Sequence, residues 1–149
     1  MPNIIHRLTI DAPPPHVHEL IANREGVARW WTGHPVDGDD AVGQRISLRF
    51  RDGAAAAVME VVQRDQDRVA WRCVDGPREW IGTRVSFGLT ATGSGGTTLL
   101  FRHEDWVQES EFMAGCSSNW CAYITSLKSG AEGRGFAPYP AGELSRWDA

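Results

Sequence analysis

Cysteine is scarce in this sequence: Cys73, Cys116 and Cys121 are three in number, and no pair has C-x-x-C spacing. An odd set without that spacing supports neither a disulfide framework nor a zinc ribbon, and it suits a reducing compartment. The opening Met-Pro-Asn-Ile-Ile lacks the basic region and apolar run of a signal peptide. No stretch approaches the roughly 18 uninterrupted apolar residues of a membrane helix. A soluble, cytoplasmic protein without membrane insertion is therefore expected. Positive charge is also in short supply, with a formal net charge of -4 and a pI near 5.7. A surface dedicated to nucleic acid or anionic membrane normally declares itself as a basic patch. The nearest thing to one, Arg45, Arg49 and Arg51, alternates with Ile46, Leu48 and Phe50 and reads as the solvated side of a strand. No nucleic-acid partner is expected.

Other signals are missing as well. His16 and His18 are two apart in a helical stretch and point to different sides, and no Cys, His or carboxylate falls at a recognised ligand spacing, so neither metal nor cofactor is expected. There is no Gly-x-Ser-x-Gly elbow, and Cys116 and Cys121 lack a recognisable activating base, which leaves them as structural thiols. Gly93-Ser-Gly-Gly96 joins two strand-like runs and has no Lys-Ser or Lys-Thr after it, so it is a hairpin turn and not a phosphate loop.

What is present is ordinary globular material with one excess. The 149 residues are 42% hydrophobic and 23% charged, which fits one domain over 1–149, and they include seven tryptophans. Ile4, His6, Leu8 and Ile10 alternate in a first strand that ends at Pro13-Pro14-Pro15. Pro14 or Pro15 opens a short helix carrying Val17, Leu20 and Ile21 on one stripe, and Val27, Trp30 and Trp31 mark a second. Residues 34–43 read as a loop. Period-two patterning then predicts strands near 46–50, 58–63, 69–73, 79–91 and 97–106. The last large element spans about 109–129, where Phe112, Cys116, Trp120, Tyr123, Ile124 and Leu127 form one apolar face and Gly130 and Gly133 supply the stop. The tail after Phe136 is expected to be partly irregular, with Trp147 a candidate for docking. The order is β-α-α-β-β-β-β-β-α. It predicts an α+β fold in which a curved antiparallel sheet of about six strands is covered on its core face by the long helix.

Within that order, Trp30-Trp31, Trp80-Ile-Gly-Thr83, Gly96-Thr-Thr-Leu-Leu-Phe-Arg-His103 and Trp120 with Ser126-Leu-Lys128 resemble the SRPBCC superfamily, in the branch named after the C-terminal domain of the activator of the heat-shock-protein ATPase. The resemblance covers nearly the whole chain. It implies a helix-grip (START-like) fold with a hydrophobic cavity between sheet and C-terminal helix, used by relatives to carry lipids, bind hormones, or cyclise and dehydrate polyketides. Fold alone does not choose among these. Chaperone activation is not expected, because the family's chaperone-binding members carry an additional N-terminal domain.

If the apolar side of each strand faces the helix, the pocket wall is drawn from Phe50, Trp71, Val85, Phe87, Phe101 and His103, with Trp120 and Tyr123 above and Trp31 closing one end. Such a wall suits a small apolar or aromatic ligand, while the same aromatics equally suit a filled core. His103 stands in phase with Leu99 and Phe101 and so points inward. There it either binds a ligand oxygen, acts as an acid or base, or is a satisfied structural histidine. The leading expectation is a binding module for a small apolar molecule, lipid or polyketide-like. A cyclase or dehydratase using His103 and a ligand-free, co-chaperone-like interaction domain are the alternatives. Edge strands and exposed apolar residues allow a homodimer, and nothing in the chain decides it.

Overall fold

The computed structural model describes residues 1–50, 52–137 and 145; Arg51 of the basic cluster and Trp147 of the tail lie outside them. The chain runs β1 (Ile4–Ile10), α1 (Pro14–Ala22), α2 (Arg24–Trp30), β2 (Asp37–Gly38), β3 (Arg45–Arg49), β4 (Ala55–Arg64), β5 (Arg68–Asp75), β6 (Arg84–Ala91), β7 (Thr97–Glu104) and α3 (Glu111–Ala131). All strands pair antiparallel in one sheet, in the order β1-β7-β6-β5-β4-β3-β2. The sequence predicts about six strands, and the described residues form seven. The extra one, β2, is two residues long inside the expected 34–43 loop, too short to leave a periodic signal.

Three boundaries move for identifiable reasons. The strand expected over 79–91 begins only at Arg84, because Trp80 N–H donates to Pro77 O and Thr83 N–H to Trp80 O, both at 2.8 Å, closing turns that replace the ladder. The strand expected over 97–106 stops at Glu104, since Asp105 takes a left-handed φ of 69° that no ladder accommodates. The long helix begins two residues later than expected, after Ser110, whose Oγ accepts the Met113 N–H at 3.1 Å as an N-cap. Gly130 does not stop this helix but lies inside it, and a Cβ there would stand 2.0 Å from the Phe136 ring. Its role is close approach; the helix ends at Ala131, just before Gly133.

The helices pack on one face of the sheet. From α3 come Cys116, Trp120, Tyr123, Ile124 and Leu127, all buried against inward-facing Val61, Trp71, Val85, Phe87, Leu99 and Phe101. Two ties hold the far end of α3 against β1 and the loop that follows. Lys128 Nζ donates to Thr9 O (2.5 Å) and Glu132 (2.7 Å), and Glu132 accepts the Asp11 N–H at 2.8 Å. Among the described residues, no helix is long and apolar enough to cross a membrane.

Candidate functional site

The core face has two unlike ends. At one end the rings are in direct contact. Trp31 stacks on Tyr123 with centroids 4.1 Å apart, and Trp120 lies 4.6 Å from Phe101. Phe87 lies 5.4 Å from Phe101 and 5.1 Å from Trp71, while Trp80 stacks on Trp120 at 5.8 Å. Stacked, tilted and edge-on pairs of this kind add stabilisation beyond the area each ring buries.

His103 sits inside this cluster with no solvent exposure. Trp120 Nε1–H donates to its Nδ1 at 3.1 Å, so Nδ1 carries the lone pair and Nε2 the proton. Nε2 lies 2.7 Å from Thr83 Oγ1, which therefore accepts and passes its own proton to Trp80 O at 2.5 Å. The result is a directed chain from Trp120 through His103 and Thr83 to the Trp80 carbonyl, with both ring nitrogens engaged. Burial pushes the His103 pKa down to about 3, which keeps the ring neutral at physiological pH. Trp106 closes the cluster, donating from its indole to His103 O at 3.1 Å.

The other end is open. A cavity of about 630 Å³ lies between the start of β4, the β5–β6 connection and the first turn of α3. Its apolar wall is Phe50, Ala55, Ala56, Ala57, Val58, Pro77 and Phe112, and Asp75, Arg78 and Glu79 supply polar groups. Two local features make the space. Residues 54–57 are all alanine, so the strand presents methyl groups where a core strand normally presents larger side chains. The pairing also slips between Leu48 and Arg49: Leu48 faces Ala57 and Arg49 faces Ala55, leaving Ala56 unopposed. Opposite them, Gly76 at φ 135° comes close enough that a Cβ would stand 2.9 Å from Ala56 O. Glu79 is held by the Ser110 hydroxyl at 2.7 Å, and Asp75 accepts the Gly76 N–H at 2.9 Å.

Of the expected wall residues, the structure gathers Trp31, Trp71, Val85, Phe87, Phe101, His103, Trp120 and Tyr123 into the packed end, all 2% exposed or less. It places only Phe50 on the groove. The alanines, the Asp75–Glu79 connection and Phe112 were not among the expected wall. The alanine run and the Gly76-Pro77 pair were their only visible signals. The two buried thiols have no reactive character: burial raises Cys116 to about 12 and Cys73 to about 11, and Cys116 Sγ accepts the Trp80 indole N–H at 3.4 Å.

The profile of the family described as Activator of Hsp90 ATPase homolog 1-like protein matches residues 11–132. The solution structure of the Aha1 dimer from Colwellia psychrerythraea is 31% identical, with a TM-score of 0.80 over 90% of this chain and 98% of that one. The solution structure of CalU16 from Micromonospora echinospora is 19% identical, with a TM-score of 0.78 over 97% of this chain and 75% of that one. The crystal structure of MLL2253 from Mesorhizobium loti is 18% identical, with a TM-score of 0.72 over 86% of this chain and 95% of that one. The last two show the fold alone. No curated protein matches the sequence.

Proposed function

Because the chain belongs to the family of Activator of Hsp90 ATPase homolog 1-like proteins, with its seven-stranded sheet and long C-terminal helix, we propose that it is a binding module for a small, largely apolar molecule, seated in the alanine-walled groove. One observation carries this reading: a cavity of about 630 Å³ persists beside a core that is otherwise filled with rings, and its size lies within the range of small-molecule sites. Apolar walls supply affinity through buried area, and the few polar groups at Asp75, Arg78 and Glu79 orient the ligand. An aliphatic or fused-ring skeleton, lipid or polyketide-like, fits that division of labour. Binding is favoured over proton transfer because His103 is neutral, enclosed and occupied at both nitrogens.

The test uses Nile red, an uncharged apolar dye, with Ala55→Trp as the blocking variant; Ala55 is exposed within the groove, so the added indole fills space without displacing the core. The wild type is expected to bind dye saturably and the variant to lose at least about tenfold in affinity at unchanged circular dichroism. Equal binding by both proteins rules the groove out as the site. A second copy of the chain is the macromolecular partner this reading favours, since the Colwellia relative is a dimer. Sedimentation equilibrium giving a monomer at all concentrations discards that partner.

A further inference from the structure

The three helices pack on one face of the sheet, and the other face gathers arginines from neighbouring strands that the sequence keeps far apart. In register, Ser86 on β6 faces Ala70 on β5 and Arg102 on β7; Arg68 faces Gly88, and Arg84 faces both Arg72 and Glu104. Arg68, Arg84 and Arg102 therefore take positions next to Ser86 in the ladder, on a floor of small residues: Ala70, Ser86 and Gly88. All three arginines are half-buried, while Ser86 and Ala70 are covered to 1% and 0% exposure. Arg68 lies across Gly88, 3.6 Å from where a Cβ would stand, and brings its guanidinium 3.4 Å from Ser86 Oγ.

Three features make this arrangement unfinished. Among the described residues, none of the three guanidiniums has a carboxylate partner; Glu60 is engaged with Arg45 and Arg72, and Glu104, although opposite Arg84 in register, is not in ion-pair contact with it. Among the described residues, Arg84 reaches only the neutral Gln63 at 3.3 Å. The buried Ser86 hydroxyl accepts from Arg68, and its own proton has no acceptor among the described residues. Buried hydroxyls without an acceptor are uncommon, and like charges opposite one another in a sheet are destabilising, as at Arg72 and Arg84.

We propose that Arg68, Arg84 and Arg102, with the Ser86 hydroxyl, form a site for a phosphate-class oxyanion on the outer face of the sheet. Guanidinium forks match tetrahedral oxyanions in geometry and charge, and a bound oxygen gives the Ser86 proton its acceptor. The site lies across the sheet from the apolar groove and does not depend on the reading given to it.

The test is a nuclear magnetic resonance titration of the protein with inorganic phosphate, against sodium chloride at equal ionic strength. Saturable shifts are expected at Arg68, Ser86, Gly88 and Arg102 with phosphate and not with chloride. Arg102→Gln and Arg84→Gln are each expected to weaken phosphate binding about tenfold, the scale of one charged hydrogen bond. Arg45→Gln, on the same face but paired with Glu60, is expected to leave it unchanged. Should Arg102→Gln unfold, Arg84→Gln decides alone. Shifts reproduced by chloride, a linear response, or wild-type affinity in the variant overturn the proposal. Phosphatidic acid vesicles supply a second arm: their binding alongside free phosphate extends the site to lipid headgroups, and binding of vesicles without free phosphate also overturns it.

Discussion

The ring-filled end of the core face and the alanine-walled end lie on the same sheet and are covered by the same helix, yet one is closed and the other open. The difference is side-chain volume at a few positions. β5 offers Trp71 to the first region, whereas β4 offers the second nothing larger than a methyl group over 55–57. Closure by large rings also brings a polar obligation, since each buried indole N–H needs an acceptor. Trp120 meets it with His103, Trp80 with Cys116, Trp30 with Leu20 O and Trp31 with Arg49 O. No indole lines the open end among the described residues, so it carries no such obligation.

This contrast sets a graded series of outcomes. Trp120→Ala should do most damage, removing a fully packed ring and leaving His103 Nδ1 without its donor; a loss of about 3–5 kcal/mol in urea unfolding is expected. Acid comes next. His103 binds a proton in the unfolded chain near pH 6.5 but resists it to about pH 3 when folded, so its contribution is complete above pH 6.5 and is lost as pH falls through that interval. The expected slope is up to about 1.4 kcal/mol per pH unit, and His103→Gln should flatten it between pH 6.5 and 5. Thr83→Val keeps the shape but strands the His103 Nε2–H, for an expected cost of about 1–3 kcal/mol by the same unfolding assay. Ser110→Ala removes the α3 cap at the edge of the groove and releases Glu79, for about 1 kcal/mol. Ala55→Trp should cost within about 0.5 kcal/mol while weakening dye binding at least about tenfold. A large loss of stability there would show that the groove is part of the packed core after all.

Periodicity carried most of the fold. The alternation in Thr97–Glu104 and the three-and-four spacing through Leu127 give both strand and helix and assign their inward faces, and the structure keeps those phases. The inward direction of His103 was legible for the same reason. Its state was not, because that depends on Thr83 and Trp120, 20 and 17 residues away, meeting the ring from opposite sides. The groove was illegible for a different reason. A pattern reading weighs large apolar residues and passes over Ala55–Ala57, yet a cavity is made by what is small. Likewise the arginines at 68, 84 and 102 look dispersed in the chain, and only strand register brings them around Ser86.

The chain of hydrogen bonds through His103 also makes the molecule its own timekeeper. Its Nε2 proton is sealed between Thr83 and a shell of indoles, with no bulk water at the ring. Thr83 lies in the turn before β6, His103 on β7 and Trp120 on α3, so the exchange of this single side-chain hydrogen with solvent deuterium is expected to report the opening of the whole domain, and not the breathing of any one element.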